Sequence, residues 1–254
     1  MEKPSILKAA DGGSIAYHRL AGASPGVIFL GGFHSDMTGV KATALEEFCR
    51  ERGQAFIRFD YRGHGQSSGK FEDCTLSTWL EDALTVLTKL AKGPQVLVGS
   101  SMGGWLSLLL AIQKPRRIEG IVGVAAAPDF TEHLIWDKLT DKQKVQLKEQ
   151  GKILVPSDYG DPYPITAELI LDGRNHLILH RDIPVYCPIR LLHGMKDDDV
   201  PWEVSMAVNE KVGSSDVKTI LIDNGTHRLS EPDDIKKLLS VTGKLLDGFK
   251  RKAA

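Results

Sequence analysis

A serine stands between two glycines in the pattern Gly99-x-Ser101-x-Gly103, with an apolar run before it and an apolar stretch after it. Small residues two positions away on each side let a strand and a helix approach closely through a sharp turn, which lifts the hydroxyl clear of a sheet. The first N–H groups of the following helix then point toward developing negative charge. Ser100 has no glycines at the corresponding positions, so we predict Ser101 as a nucleophile.

A serine nucleophile at such a turn requires a carboxylate and, later in the chain, a histidine. The apolar run at residues 189–192 leads into a loop with three consecutive aspartates, Asp197, Asp198 and Asp199. Asp197 comes soonest after the predicted strand, where its carboxylate can accept an imidazole N–H, and we predict it as the acid. Its two neighbours are interpreted as solvated loop acids, and Asp129, after the preceding strand, is a lesser alternative.

The histidine at position 227 is the candidate base. His227 follows the last predicted strand and precedes the last predicted helix, where an imidazole would reach over the edge of the sheet. His193 is followed by glycine at a strand end, and we interpret it as a structural residue. His64 lies in a glycine-rich loop, and we interpret it as structural too, through hydrogen bonds within that loop.

Two backbone N–H groups are candidates for stabilising an oxyanion, the negatively charged oxygen that forms when a carbonyl is attacked. The turn around the serine supplies the N–H of Met102, and the loop after the first buried strand supplies that of Phe33. Gly31 and Gly32 before Phe33 make this backbone flexible. The alternative is that the two glycines form a plain turn.

The elements that must position these residues alternate along the chain. Strands are predicted at residues 26–30, 55–60, 95–98, 118–125, 189–192 and 217–222, after a hairpin at 6–9 and 14–19. Helices are predicted at residues 38–52, 75–92, 105–112, 202–212 and 233–249. This alternation indicates an α/β fold with a mostly parallel sheet covered by helices on both faces. Ligands bind such sheets outside the carboxyl ends of the strands, where every candidate loop lies.

The alternation breaks at residues 128–186, which we interpret as an inserted helical cap within a single domain of residues 1–254. An amphipathic helix is predicted at residues 141–150, with Thr140 and Gln143 as a capping box. A proline-rich loop follows at residues 156–164, and a short helix begins near Ala167. Three apolar cap residues are candidates for lining an acyl channel, with ordinary packing as the alternative: Leu134, Ile135 and Trp136.

Composition excludes several classes of protein. The chain has 254 residues with 32 basic and 33 acidic side chains, a formal net charge of −1 that excludes the basic footprint of a nucleic-acid binder. The longest apolar run falls well short of the roughly 20 residues that a membrane span needs. Motifs for metalloproteases, dinucleotides and phosphate loops are missing from the sequence, so we expect no cofactor and no metal. The sequence does not indicate an oligomeric state.

Five stretches together resemble the α/β-hydrolase superfamily over essentially the whole chain: GGFHSD, FDYRGHGQSSG, VGSSMGGW, HGMKDDDVP and the late GTH. Within it, ALEEFCRERGQAFIRFDYRGHGQSSG, GPQVLVGSSMGGWL and CPIRLLHGMKDDDVPW are similar to the family of abhydrolase domain-containing protein 10 and its bacterial relatives. The resemblance implies that Ser101, Asp197 and His227 act as nucleophile, acid and base. Two positions depart from the common pattern: Thr226 where many members have glycine, and Gly31 where many have histidine.

The expected reaction is transfer of an acyl group to water from a carboxylic ester or acyl thioester, small or protein-linked. The resemblance implies the activities of its animal members, palmitoyl-protein thioesterase and acyl-glucuronide esterase. A C–C hydrolase or lyase with the same triad, or a non-catalytic binding protein, remains an alternative. The N-terminal residues lack the features of a signal or transit peptide, so we expect a cytoplasmic protein. The mitochondrial matrix is the alternative if a transit segment was removed.

Overall fold

A computed structural model of the protein describes residues 3–9, 11–157 and 160–253. The strands, in chain order, are β1 Ser5–Lys8, β2 Ser14–Leu20, β3 Ala23–Leu30, β4 Gln54–Phe59, β5 Gln95–Ser100, β6 Ile118–Val124, β7 Lys152–Ser157, β8 Gly160–Thr166, β9 Ile189–Gly194 and β10 Val217–Ile222. The helices are α1 Val40–Glu51, α2 Leu76–Lys89, α3 Met102–Gln113, α4 Asp141–Gln150, α5 Ala167–Gly173, α6 Glu203–Lys211 and α7 Pro232–Ala253.

Eight strands form the main sheet in the order β1-β2-β4-β3-β5-β6-β9-β10. Six neighbouring strands pair in parallel, in the sheet order β4-β3-β5-β6-β9-β10, and β1 and β2 add an antiparallel edge. The mostly parallel α/β sheet predicted from the alternating pattern is therefore confirmed. The predicted N-terminal hairpin is also confirmed, since β1 pairs antiparallel with β2.

Both faces of the sheet are buried, which explains why its central strands are almost continuously apolar. On β5, Leu97 packs into one cluster with Trp79 of α2. Its neighbour Val98 points to the other face and packs with Leu45 of α1 and Leu246 of α7. Burying one such aliphatic side chain contributes about 1.5–3 kcal/mol, so the central strands anchor the loops at their ends.

The ends of α4 lie at residues that the sequence predicts as helix caps. Thr140 accepts the backbone N–H of Gln143, and the Gln143 side chain accepts the Thr140 N–H, which is the predicted capping box of α4. Gly151 ends that helix with a φ of 76°, in the left-handed region that glycine adopts without steric cost. No helix within the described ranges has the length and apolar character needed to cross a membrane.

The segment between β6 and β9 differs from the sequence prediction in one respect. Where a proline-rich loop was expected at residues 156–164, β7 and β8 form a two-stranded antiparallel hairpin. Pro164 lies within β8 opposite Leu154, and proline fits there because each strand pairs on one side only. Residues 158 and 159 of the predicted loop lie outside the described residues. The segment therefore combines helices with a hairpin, and is not purely helical.

The turn between β5 and α3 is built on direct backbone contact. A Cβ atom added to Gly99 would lie 2.2 Å from the carbonyl oxygen of Gly103. One added to Gly103 would lie 2.1 Å from the carbonyl oxygen of Leu30, at the end of β3. Two strands and a helix thus meet with no room for a side chain at either glycine.

We predict that Gly103→Ala destabilises the protein by about 1–3 kcal/mol, because the added methyl group must push backbone atoms apart. Gly248 provides the matched control, because it is also helical but nothing lies within 4 Å of an added Cβ. Gly248→Ala should stabilise by about 0.5–1 kcal/mol through helix propensity alone. Urea denaturation of both variants measures the difference, and equal stabilities would contradict the packing argument.

Candidate active site

Ser101 occupies the turn between β5 and α3 with φ 53° and ψ −117°, a conformation that non-glycine residues rarely adopt. Such backbone strain costs about 1–3 kcal/mol and persists when neighbouring contacts hold it. The Ser101 N–H donates to the Val124 carbonyl at 2.9 Å, and the Ser101 carbonyl accepts from the Gly104 and Ala127 N–H groups. These bonds fix the serine to β6 and to its own helix.

The predicted nucleophile, base and acid lie in hydrogen-bonding contact. His227 Nε2 is 3.1 Å from Ser101 Oγ, and His227 Nδ1 is 2.8 Å from Asp197 Oδ2. Because a carboxylate can only accept, Nδ1 carries the hydrogen and Nε2 is left to accept the serine proton. The His227 side chain is 18% exposed, while that of Asp197 is fully buried. The three residues come from three different loops of the sheet.

Of the three consecutive aspartates, Asp197 is the one whose carboxylate accepts the His227 N–H. Its other oxygen accepts the backbone N–H groups of Asp199 at 3.0 Å and Val200 at 2.8 Å. Burial alone would raise the pKa of Asp197, but hydrogen bonds from His193, His227 and the Val200 N–H hold that pKa well below its ordinary value. The carboxylate is therefore ionised throughout the neutral range.

The loops that carry the acid and the base are packed onto each other. A Cβ on Gly194 would lie 2.2 Å from the carbonyl oxygen of Gly225, and Lys196 N–H donates to that same carbonyl. Lys41 on α1 donates to the carbonyl of Arg228, next to the histidine, and burial lowers the pKa of Lys41 to about 8. Lys41 was missed in the sequence, which offers no signal linking residues 187 positions apart.

The predicted oxyanion donors border the nucleophile on two sides. Met102 is the first residue of α3, so its N–H belongs to the first helical turn, which has no acceptor within the helix. Gly32 lies so close that an added Cβ would be 3.4 Å from the Ser101 Cβ. Phe33 follows directly, and its ring packs edge-on against four aromatic rings: Phe71, Trp79, Phe130 and Tyr163.

His64 fixes the loop that contains Phe33. Its Nε2 accepts the backbone N–H of His34 at 3.2 Å, and its Nδ1 donates to the carbonyl of Arg62 at 3.3 Å. The loop-bonding role predicted for His64 therefore holds, and the bond extends beyond its own loop to the neighbouring one. Burial lowers the pKa of His64 to about 4, so the ring is neutral at physiological pH.

Buried charges hold the loop that carries His64. Arg62 Nε donates to Asp82 at 2.6 Å, and the Arg62 backbone N–H donates to the second oxygen of the same carboxylate. Asp60 accepts the N–H groups of Met37 at 2.6 Å and Gln66 at 2.8 Å. Both buried carboxylates thus accept hydrogen bonds, and removing a donor would leave a buried polar group unsatisfied, which is costly.

Asp129, the lesser candidate acid, has a different environment. Its carboxylate accepts the backbone N–H groups of Ile178 and Leu179 at distances between 2.8 and 3.1 Å. Asp129 is 1% exposed and has a φ of 60°. It therefore ties the beginning of the segment between β6 and β9 to the later part of the same segment.

A second serine, histidine and aspartate lie together where α2 meets α5. Ser77 Oγ is 2.6 Å from Asp172 Oδ1 and 2.7 Å from His176 Nε2. Both partners contact the hydroxyl directly, whereas a catalytic series needs the carboxylate on the far ring nitrogen of the histidine. Ser77 also lies in an ordinary helical turn. This cluster fastens the inserted segment to α2, and proton relay does not fit its geometry.

One group of residues has a spacing that a metal ion could bridge. Asp197, Asp199 and His227 each offer a ligand atom within 4.8 Å of the others. Both oxygens of Asp197 already accept hydrogen bonds, and His227 uses its two nitrogens for Asp197 and Ser101. A metal would have to displace these bonds, so the geometry favours proton transfer.

The three cap residues considered for an acyl channel pack partly buried against the core. The ring of Trp136 is contacted by three cations, with Lys144, Lys148 and Arg174 at 5.3, 5.8 and 4.9 Å from its centroid. Cations gathered on an indole face are typical of a protein surface. For Trp136 the environment thus favours ordinary packing.

A cavity of about 360 Å³ opens at the amino end of the central strands, far from these loops. It is lined by residues of the β2–β3 turn, of β4 and of the loop that follows α2. None of the candidate catalytic residues contributes to this lining.

A family model described as alpha/beta hydrolase fold matches residues 27–158. The serine at the strand–helix turn, the contacting histidine and the parallel sheet agree with this class of protein. The chain belongs to the α/β-hydrolase fold family, and it is a hydrolase.

Three similar proteins narrow the comparison. Human palmitoyl-protein thioesterase ABHD10, mitochondrial, is 45% identical over 245 residues, covering 96% of this chain and 80% of that protein. The structure of alpha/beta hydrolase domain-containing protein 10 from mouse has a TM-score of 0.90 at 41% identity, covering 98% and 100% of the two chains. A putative hydrolase from Agrobacterium vitis S4 has a TM-score of 0.90 at 39% identity, covering 96% and 98%. The resemblance inferred from the sequence motifs is thereby confirmed.

We predict that His64 makes the protein less stable toward acid. The unfolded histidine has a pKa near 6.5, whereas burial lowers the folded pKa to about 4, so the unfolded chain binds an extra proton between these values. The free energy of unfolding therefore falls as pH drops through this window, by about 1.4 kcal/mol per pH unit.

His64→Gln should lower this slope by the amount that corresponds to one proton. The amide oxygen can still accept the His34 N–H, but the amide does not titrate. Urea denaturation across the window measures the slope. A comparison at about pH 8, where neither state is protonated, isolates any loss of packing. An unchanged slope in the variant would rule out His64 as the titrating group.

Proposed function

We propose that the chain is a serine hydrolase of carboxylic esters or acyl thioesters, with Ser101 as nucleophile, His227 as base and Asp197 as acid. The hydrogen-bonded series from Asp197 through His227 to Ser101 carries this proposal. Further support comes from the serine backbone, which is held at positive φ at the start of a helix. That conformation aims the hydroxyl away from the sheet toward an incoming carbonyl.

The first half of the reaction forms an acyl-enzyme. Ser101 Oγ attacks the substrate carbonyl carbon while His227 Nε2 accepts the hydroxyl proton. Asp197 stabilises the imidazolium through the Nδ1–H bond and does not itself take the proton. The tetrahedral intermediate then collapses, the bond to the leaving thiol or alcohol breaks, and the imidazolium gives that group its proton.

The second half releases the acid. Water gives a proton to His227 Nε2 as its oxygen attacks the acyl carbon, and the second tetrahedral intermediate expels Ser101, which recovers the proton. The backbone N–H groups of Met102 and Phe33 are proposed to bind the oxyanion in both halves. Loss of one such donor typically lowers kcat by about 10²–10³-fold.

Thioesters of long-chain acids are the proposed substrate class. The relatives named palmitoyl-protein thioesterase act on such bonds, and a thioester leaving group needs little protonation to depart. The aromatic rings around Phe33 support an apolar acyl group beside the nucleophile. Those relatives are also named mitochondrial, which supports the mitochondrial alternative over the cytoplasmic setting expected from the sequence.

A fluorophosphonate probe should label the wild-type protein at Ser101 and fail to label Ser101→Ala, because the probe reacts with activated serines. The neighbouring Ser100→Ala is the matched control and should still be labelled, since Ser100 lies within β5. Intact-protein mass spectrometry measures the adduct. Labelling that survives Ser101→Ala would overturn the assignment.

His227→Ala should abolish turnover of p-nitrophenyl acyl esters while circular dichroism stays that of the wild type, because the His227 side chain lies on a loop and is partly exposed, at 18%. A labelled protein with no turnover of any ester or thioester would instead favour a C–C hydrolase, lyase or binding protein.

The value of kcat/KM should rise with acyl-chain length for a series of acetyl, octanoyl and palmitoyl thioesters. Each methylene buried in an apolar site contributes up to about 0.8 kcal/mol, or roughly fourfold in kcat/KM. Oxygen esters of the same acids provide the parallel series that isolates the leaving group. A flat or falling dependence on length would contradict a long-chain acyl substrate.

A further inference from the structure

A fully buried histidine lies behind the candidate acid. His193 is the next-to-last residue of β9 and is 0% exposed. Its Nε2 lies 3.2 Å from Asp197 Oδ2 and 2.9 Å from the carbonyl oxygen of Val200. Its Nδ1 lies 2.7 Å from the hydroxyl oxygen of Ser205 on α6. The ring therefore links the acid to a helix on the far side of its loop.

The contacts define which ring nitrogen of His193 carries the hydrogen. Nε2 faces a carboxylate oxygen and a carbonyl oxygen, and both can only accept, so Nε2 must be the donor. The hydroxyl of Ser205 can donate to Nδ1, which gives the second ring nitrogen a partner. Ser205 is itself fully buried, so its hydroxyl would be left unsatisfied at an energetic cost without this hydrogen bond.

The Asp197 carboxylate receives donors from four directions. Oδ1 accepts the backbone N–H groups of Asp199 and Val200. Oδ2 accepts the His227 Nδ1–H at 2.8 Å and lies 3.2 Å from His193 Nε2. Two backbone donors on one oxygen still allow the carboxylate plane to tilt. A second ring donor on the other oxygen restricts that tilt, and it is the oxygen that must point at His227.

We propose that His193 is a positioning residue, whose Nε2–H holds Asp197 in the orientation that His227 requires, and that Ser205 holds the ring in place through Nδ1. This inference rests on the proposed function of Ser101, His227 and Asp197. It replaces the purely structural role expected for His193 from the sequence. A series of close contacts then runs from Ser205 through two imidazoles to Ser101, in which the single Nε2–H of His193 faces both Asp197 Oδ2 at 3.2 Å and the nearer Val200 carbonyl at 2.9 Å.

The series has a chemical consequence for the base. His193 shares the negative charge of Asp197 with His227, since a nitrogen of each ring lies within 3.2 Å of the same oxygen. Removing the His193 donor leaves more of that charge facing His227, which stabilises the imidazolium. The acid limb of the kcat/KM profile should therefore move to higher pH. A residue that merely fills space would leave this limb in place.

The first experiment compares two substitutions at position 193 that differ in the donor. His193→Leu removes the donor and should lower kcat/KM by about 10- to 100-fold, mainly in kcat and with the shift in the acid limb. His193→Gln places an amide N–H near the position of Nε2 and should recover activity to within about fivefold of wild type. Steady-state kinetics on one p-nitrophenyl ester across pH measures both effects.

The second experiment removes the hydroxyl of Ser205. Ser205→Ala should lower kcat by a few-fold, because the ring loses the hydrogen bond that holds it through Nδ1. The double variant His193→Leu with Ser205→Ala should be no worse than His193→Leu alone, since both act through one bond. Asn209→Ala is the matched control, because Asn209 lies one turn later on α6 and contacts Thr219 on β10. It should keep wild-type kinetics.

Several results would overturn the inference. One is wild-type kinetics for a folded His193→Leu. Another is an unmoved acid limb in His193→Leu together with no recovery of activity in His193→Gln. The third is additive losses in the double variant. If His193→Leu does not fold, Ser205→Ala decides, and wild-type kinetics for that variant would refute the role.

Fluorophosphonate labelling separates this inference from the proposed function. An unlabelled wild-type protein means that the proposed function fails. A wild type labelled at Ser101, together with position-193 variants labelled at the same rate, means that the His193 role alone fails.

Discussion

The fold of this hydrolase depends on backbone contact among two strands and one helix. Gly99, Gly103 and the Leu30 carbonyl lie too close together for any side chain at the two glycines. Because β5 and α3 are pressed together in this way, the connecting residue must turn through a positive φ, and Ser101 does so. The same contact brings the end of β3 beside the serine, so the loop with Phe33 borders it. One steric constraint thus sets both the backbone of Ser101 and the position of the loop that carries Phe33.

The other loops are held by polar contacts that act across large separations in sequence. His64 joins the loop after β4 to the one after β3, and Lys41 joins α1 to the loop of His227. His193 joins the acid to α6 through Ser205. His64, His193 and Ser205 are buried, so leaving one of their polar groups without a partner would be costly. Loops on the rim of a parallel sheet thereby gain the rigidity that catalytic geometry demands.

The sheet, its helices and the meeting of residues 101, 197 and 227 follow from local patterns in the sequence. The spacing of Gly99 and Gly103 locates the turn that carries Ser101. Asp197 and His227 are then predicted as its partners, because an acid and later a histidine must follow at strand ends. The hairpin at β7 and β8 could not be predicted, because Pro164 suggests a loop unless the strand is known to pair on one side. The contact between His193 and Asp197 was equally hidden, since a strand-end histidine carries no sign of which loop folds over it.

Asp129 lies just after β6, and its carboxylate accepts the N–H groups of Ile178 and Leu179 in the later part of the segment between β6 and β9. This contact closes a loop whose two ends are 49 positions apart in the sequence. Lengthening a loop with fixed ends is inexpensive, about 0.6 kcal/mol for each doubling, because closure entropy grows only logarithmically. Changes of length inside this closed loop therefore cost little closure entropy. The contact of Asp129 with Ile178 also keeps such changes from altering where the loop begins and ends, beside the sheet loops that carry residues 101, 197 and 227.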